Sequence, residues 1–377
     1  MMSRFNILLS SLLVISLVFS STGESIGKDV EPLEIGAAAP DFELPGVDGK
    51  THSLADFADA KVLVVIFTCN HCPTAQAYED RIIQLHADYK DRGMALVAIS
   101  PNDPQAVRLD ELGYSDVNDS LEDMKVRARD KDFKFPYLYD GETQETSTAY
   151  GVLATPHVFI FDAERKLRYV GGFDNADVGP VKSHDTRNAV AALLKNEPVP
   201  REKTRVFGCS TKWSDKRKST AESLKKWNAE PVSLNTIDEA GVRELVKNDT
   251  KKYRLINVWA TWCVPCVEEL AELVTINRMY RRRPFEAITI SLDGPENRDQ
   301  ALEVLEDKHV SCTNYLFNST DRDSLADALD KKWRGPVPYT LLIAPGGKVV
   351  YRKESAFDPL TLKQVIVERL GRTYASR

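Results

Sequence analysis

The chain has 377 residues, 42% hydrophobic and 28% charged, with 19 Gly and 19 Pro. It exceeds one ordinary domain and is apolar enough to bury cores, so two domains are expected and general disorder is excluded. Fifty Lys and Arg stand against 56 Asp and Glu; this mildly acidic balance lacks the positive field that draws phosphate backbones and excludes nucleic acid as a partner.

Arg4 is followed by the mostly apolar stretch Phe5 to Phe19 and then by Ser20, Ser21, Thr22 and Gly23. This is the layout of a secretory signal, so residues 1–23 are expected to be a signal peptide and the mature protein to be exported, in a periplasmic or other extracytoplasmic space. The stretch contains Asn6, Ser10, Ser11 and Ser16 and falls short of the roughly 20 apolar residues of a spanning helix, so membrane contact is expected at most through this segment. No cysteine follows it closely and no comparable apolar run occurs later.

Six cysteines in an exported chain suggest structural disulfides, but four of them form the close pairs Cys69/Cys72 and Cys263/Cys266, leaving Cys209 and Cys312. A bridge from i to i+3 closes too short a loop to staple a fold, so these pairs suit chemistry. They lie 194 residues apart, 69 against 263, and their surroundings match in order. Val62 to Phe67 and Leu255 to Ala260 are continuous apolar runs, as in strands covered on both faces. Apolar residues then recur with helical spacing, at Ala75, Tyr78, Ile82, Leu85 and Tyr89 and at Val267, Leu270, Val274 and Ile276, so both pairs are expected at helix N-termini. Strands follow at Ala95 to Ser100 and Ala287 to Leu292. Thr155-Pro156 and Val337-Pro338 introduce strands His157 to Phe161 and Tyr339 to Ala344. Hairpin signals at Asp162 to Lys166 and Pro345 to Gly347 lead to Leu167 to Val170 and Val349 to Tyr351. Helices Arg187 to Lys195 and Leu360 to Gly371 close the halves.

The fold class is therefore α/β, with two tandem domains, each a mixed central sheet flanked by helices. The domains are placed at 32–196 and 229–377. The Pro-containing basic segment 197–228, with Lys216, Arg217 and Lys218, is expected to be a solvated linker.

Thiol–disulfide exchange needs a thiolate, which a helix N-terminus stabilises through unpaired amides and its dipole. Cys69 and Cys263 are the expected nucleophiles, with Cys72 and Cys266, one turn further in, as resolving thiols. His71, between the first two cysteines, places an imidazole near the attacking sulfur, while Val264-Pro265 places nothing chargeable there. A protonated His71 favours the reduced thiolate form, so the first pair is expected to be the more oxidising. Glu269, three residues after Cys266, shares the redox-helix face and is a candidate proton carrier. Counting from the cysteines, its counterpart in the first half is Ala75.

The second half, through Asn257-Val258-Trp259-Ala260-Thr261-Trp262-Cys263-Val264-Pro265-Cys266, resembles TlpA-type exported thioredoxins. The first half resembles the redoxin group that includes alkyl hydroperoxide reductase and thiol-specific antioxidants, through Ala39-Pro40-Asp41-Phe42, Asp48-Gly49-Lys50 and Ser53-Leu54. The thioredoxin resemblance implies a cis-proline beside each redox pair, Pro156 and Pro338, with Thr155 and Val337 offering backbone to an extended substrate. TlpA-like proteins use an acid at the Glu269 position. Where many thioredoxins carry a buried Asp, this chain has Asn257. Proline is usual five residues after the second cysteine, but Ala77 and Ala271 stand there.

The function expected is thiol-disulfide oxidoreductase activity, with protein dithiols or disulfides and an upstream electron donor as partners, and without cofactor or metal. One rival is peroxide reduction by the first half, whose family motif P-x-x-x-T-x-x-C is not matched: aligned on Cys72, Cys69 replaces the Thr and Val65 the Pro; aligned on Cys69, Ile66 and Val62 do so. The other is copper handling by Cys69, Cys72-Pro73 and His157 or His184. Cys209, in Gly208-Cys209-Ser210, is a candidate relay thiol between the domains, the alternative being an inert unpaired cysteine, and Cys312 is expected to be buried.

Overall fold

The apolar runs become the middle strands of two sheets. A computed structural model describes residues 30–374; the expected signal peptide, 1–23, lies outside the described residues. After the hairpin of β1 (Glu43–Pro45) and β2 (Thr51–Ser53), the first domain builds β3 (Val62–Phe67), α1 (Pro73–Tyr89), β4 (Met94–Ser100), α2 (Leu121–Asp130), β5 (Tyr137–Tyr139), α3 (Glu145–Tyr150), β6 (Ala154–Thr155), β7 (His157–Phe161), β8 (Leu167–Gly171) and α4 (Asp185–Leu194). Its sheet order is β5-β4-β3-β7-β8, with β3, β4 and β5 parallel and β7 and β8 antiparallel. All six residues of β3 are buried, which is why its sequence reads as an unbroken hydrophobic run.

Next come β9 (Cys209–Ser210) and α5 (Arg217–Asn228). The second domain contains β10 (Asn235–Ile237), α6 (Glu239–Lys247), β11 (Tyr253–Trp259), α7 (Val264–Tyr280), β12 (Phe285–Ser291), α8 (Arg298–Asp307), β13 (Thr313–Phe317), α9 (Arg322–Leu329), β14 (Tyr339–Ile343), β15 (Val349–Glu354) and α10 (Pro359–Leu370). Its sheet, β10-β13-β12-β11-β14-β15, repeats the plan with one more strand. The short strands β5, β10 and β13 are too brief to carry a period of their own, and the apolar pattern did not announce them.

The segment expected as a solvated linker folds back on the first domain before α5, and α5 itself has no buried residue. Glu202 and Lys203 run beside Val170, with Val170 N–H donating to Glu202 O at 2.9 Å. Strand β9 pairs antiparallel with β6, placing Cys209 opposite Thr155. Lys212 donates its backbone N–H to Asn102 and its ammonium to Glu111, and Arg217 is paired with buried Asp103. Lys212 and Arg217 thus meet acidic partners on the first domain, which a count of charges along the chain does not reveal.

The domains meet at the C-terminal end of α7. Val107 and Leu112 of the first domain join the core of the second. Tyr280 Oη donates to Ser115 O at 2.9 Å and Arg283 Nη1 to Gly113 O at 2.7 Å, while Arg372 pairs with Asp116 at 2.5 Å.

Candidate functional site

Both redox helices have 17 residues, and the repeat that relates them is 191 positions rather than 194: the starts of β3 and β11 are 62 and 253, of α1 and α7 73 and 264, and of β4 and β12 94 and 285. The sheet register agrees. Phe67 lies opposite His157, the residue after Pro156, and Val258 opposite Tyr339, the residue after Pro338. The position five residues beyond these strand residues is Cys72 in one domain and Cys263 in the other, and each is the N-cap of its helix. The expectation that the first cysteine of each pair occupies the helix N-terminus therefore needs correction in the first domain: Cys72 occupies it, and Cys69 sits upstream in the turn. Pro73, at the first helical position, is the local signal, because proline is favoured there and leaves the preceding residue as cap. In the same frame Ala75 takes the place of Cys266, and Tyr78, not Ala75, that of Glu269.

In the first site Ala75 N–H donates to Cys72 Sγ at 3.4 Å, and Cys69 Sγ lies 3.1 Å from Thr155 Oγ1. The Thr155–Pro156 bond is cis. His71 is buried, its Nδ1 2.5 Å from Asp119 Oδ2. Asp119 also accepts the backbone N–H groups of Asn70 and His71 at 2.8 and 3.2 Å and the amide of Asn102 at 2.8 Å. A carboxylate with this many donors remains ionised despite burial, and its acidity is increased. Burial opposes protonation of His71, but the facing carboxylate outweighs it and the imidazole is held above its ordinary range. Burial likewise raises the Cys72 thiol, yet hydrogen bonds from Cys209 and Cys69, the His71 charge and Ala75 N–H overcome it; Cys72 is pushed well down. Cys69 moves well up, through burial and its hydrogen bond to Cys72. Cys72, whose thiol also donates to Thr155 O at 3.5 Å, is thus the more acidic of the two sulfurs.

Cys209 packs on the cluster of Cys69, Cys72 and Ala75. It is partly exposed, whereas Cys69 and Cys72 are buried. Its thiol is raised, first by donating to Cys72 and then by burial.

In the second site Cys263 and Cys266 are joined in a disulfide. Val337–Pro338 is also cis. Trp262 and Val264, beside Cys263, are 54% and 66% exposed, an unusual display of apolar surface around a sulfur. Glu269 is buried: Asn257 Nδ2 donates to Oε1 at 2.7 Å and Phe357 N–H to Oε2 at 3.2 Å. Burial outweighs both donors and raises its carboxyl to about 7. Asn257 also donates to Thr340 Oγ1 at 3.0 Å.

Asp119 and Asn102 carry no nearby motif, and sequence reading missed them; the chain path brings Asp119 under His71 from 48 residues away. Among the described residues, ligand atoms of Cys69, His71 and Asp119 lie within 4.8 Å of one another. His157 and His184, weighed for copper, are not part of that cluster. Burial pushes His157 down to about 3, and its Nδ1 accepts Leu153 N–H at 3.4 Å. Cys312 is half-buried, with its thiol raised to about 12 by burial. No helix among the described residues is long and apolar enough to cross a membrane.

Known proteins resemble the chain in pieces. It is 28% identical over 95 residues to the thiol-disulfide oxidoreductase ResA of Oceanobacillus iheyensis, covering 25% of this chain and 45% of the relative. It is 30% identical over 77 residues to the putative peroxiredoxin bcp of Helicobacter pylori 26695, covering 20% of this chain and 51% of the relative. The matches thus span about half the length of these curated relatives. A solved structure of an uncharacterized conserved protein from Geobacillus kaustophilus is 38% identical, covering 48% of this chain and 93% of that one, with a TM-score of 0.44. The profile of the AhpC/TSA family matches twice, at residues 35–170 and 223–352, one match for each sheet described above. Two thioredoxin-like domains with a cysteine capping each redox helix, and a family match to both, make the chain a tandem member of the AhpC/TSA family.

Proposed function

We propose that the protein is an exported thiol-disulfide oxidoreductase whose two domains exchange disulfides with protein partners. The observation that carries this reading is the repeated placement of a cysteine at a helix N-cap, five residues beyond the strand position that faces the residue after a cis-proline. Helix amides there stabilise a thiolate, and the second thiol or a neighbour completes exchange. The ResA relative, named as a thiol-disulfide oxidoreductase, agrees with this chemistry. Export rests on the layout of residues 1–23.

In the second domain Cys263 attacks, Cys266 resolves, and Glu269 shuttles the proton. Trp262 and Val264 give an apolar platform for a partner segment that pairs with Val337 beside Pro338. In the first domain the His71–Asp119 pair and the helix amides favour the reduced form, which makes this the more oxidising site. The test is trapping with Cys266→Ser in the full chain: the variant is expected to accumulate mixed disulfides on Cys263 with client proteins, seen as reducible adducts. Absence of adducts, with the fold intact by circular dichroism, defeats the reading.

A second reading, peroxide reduction by the first domain, is favoured by the helix-cap position of Cys72, the alignment in which Cys69 and Val65 replace the motif Thr and Pro. It expects hydrogen peroxide consumption by the full chain carrying Cys263→Ser and Cys266→Ser, abolished by adding Cys72→Ser; no consumption removes it.

A further inference from the structure

The 191-residue repeat leaves the first domain without a cysteine where the second has its resolving thiol, since Ala75 stands at that position. A different thiol is packed there. Strand β9 runs antiparallel along β6, setting Cys209 opposite Thr155 and Ser210 opposite Ala154. Thr155 immediately precedes cis-Pro156, so the chain lays its own extended segment on the edge where a substrate strand is expected. The fit is close: Gly208 has φ +153°, and a Cβ there would come within 2.0 Å of Thr155 O. In the second domain no described strand pairs with Val337.

We propose that the working redox couple of the first domain is Cys72–Cys209, with Cys209 the sulfur presented to a partner dithiol and Cys72 the buried sulfur that leaves. This rests on the exchange reading above and changes which atoms perform it. Three observations support it. Cys209 packs on the cluster formed by Cys69, Cys72 and Ala75. Cys209 is partly exposed while Cys72 has 0% exposure, so an incoming thiolate reaches Cys209 first. Cys72 caps the helix, with Ala75 N–H aimed at its Sγ at 3.4 Å and ready to hold negative charge there, and exchange favours departure of the sulfur that is the more stable thiolate.

From the oxidised pair, a partner thiolate attacks Cys209 Sγ. The Cys72–Cys209 bond breaks, Cys72 leaves with the electron pair, and a partner–Cys209 mixed disulfide forms. The partner's second thiolate attacks its own sulfur in that bond, closes the partner disulfide and releases Cys209, which takes up the proton lost by the partner thiol. Two electrons pass from the partner dithiol to the pair, and an external disulfide reoxidises it by the reverse exchange.

The test begins with wild-type full-length protein, reduced, reoxidised with oxidised glutathione, alkylated in acid and mapped by peptide mass spectrometry. A Cys72–Cys209 cross-link with Cys69 alkylated is expected; a Cys69–Cys72 cross-link with Cys209 alkylated overturns the proposal. In the full chain carrying Cys263→Ser and Cys266→Ser, oxidation of dithiothreitol by the first domain is then timed. Adding Cys209→Ser is expected to slow it about tenfold or more, and an unchanged rate overturns the couple; Cys312→Ser serves as control. If the Cys72–Cys209 bond forms but no protein client is ever exchanged, the functional reading fails and the couple stands. If exchange persists through a Cys69–Cys72 bond, the couple fails and the functional reading stands.

Discussion

At the scale of single residues, a carboxyl, an imidazole and a thiol are each moved by what surrounds them. Glu269 lies in apolar surroundings with only two donors, so desolvation dominates and its carboxyl rises to about 7. Between the ordinary carboxyl range near 4.5 and about 7, the folded chain therefore holds a proton that the unfolded chain has released. Stability falls as pH rises through this window. Glu269→Gln, which keeps the shape and removes the ionisation, is expected to stabilise the second domain at pH 8 by on the order of 1–3 kcal/mol, read from urea unfolding. It is also expected to remove an inflection near pH 7 from the pH profile of Cys263 exchange. A profile identical to wild type contradicts a proton-carrying role. Asp119 shows the opposite balance: four donors outweigh its burial, and the charge it keeps supports the charge on His71.

At the scale of elements, the short pairing of β9 with β6 decides what the first site exposes. Only a residue without a side chain fits at position 208, because a Cβ would strike Thr155 O. Gly208→Ala is therefore expected to lift β9 from β6 and raise the alkylation rate of Cys209 by roughly tenfold, with a loss of about 1–3 kcal/mol for the displaced strand. Protection of Cys209 equal to wild type shows the pairing to be dispensable. The redox helices teach a related lesson. Periodicity announced α1 and α7, but aligning the halves on their cysteines placed the equivalence three residues off. The cap is decided by where helical hydrogen bonding starts, and Pro73 marks that start more faithfully than the sulfurs do.

At the scale of the whole molecule, the second site stands away from the contact between the domains. Cys263 and Cys266 stand at the N-terminal end of α7, whereas the first domain packs on the C-terminal end through Tyr280 and Arg283. A helix of 17 residues is about 25 Å long at about 1.5 Å per residue, which sets Cys263 that far from the residues that touch the first domain. Cys209, considered as a relay between domains, packs on the cluster of Cys69, Cys72 and Ala75, and we expect it to serve Cys72 and not to carry electrons directly to the second site. Dithiol–disulfide exchange between a chain active only in the first domain and one active only in the second is expected to be bimolecular, its rate proportional to concentration. The same dependence is expected in the wild-type chain; a concentration-independent rate there contradicts this arrangement.

What the amino-acid order determined by itself is local: apolar runs that must be covered on both faces, helical periods behind the cysteines, prolines before strands, and the doubling of this plan into two α/β domains. These properties are carried by neighbouring residues and survive in one dimension. The tertiary structure alone decided which thiol packs beside the capping sulfur of the first pair, that Asp119 lies under His71, that the basic segment folds back to bring Cys209 to the first site, and that Glu269 is buried rather than solvated. Each of these depends on residues far apart in the chain and on the withdrawal of charge and sulfur from water, which no spacing in the sequence encodes.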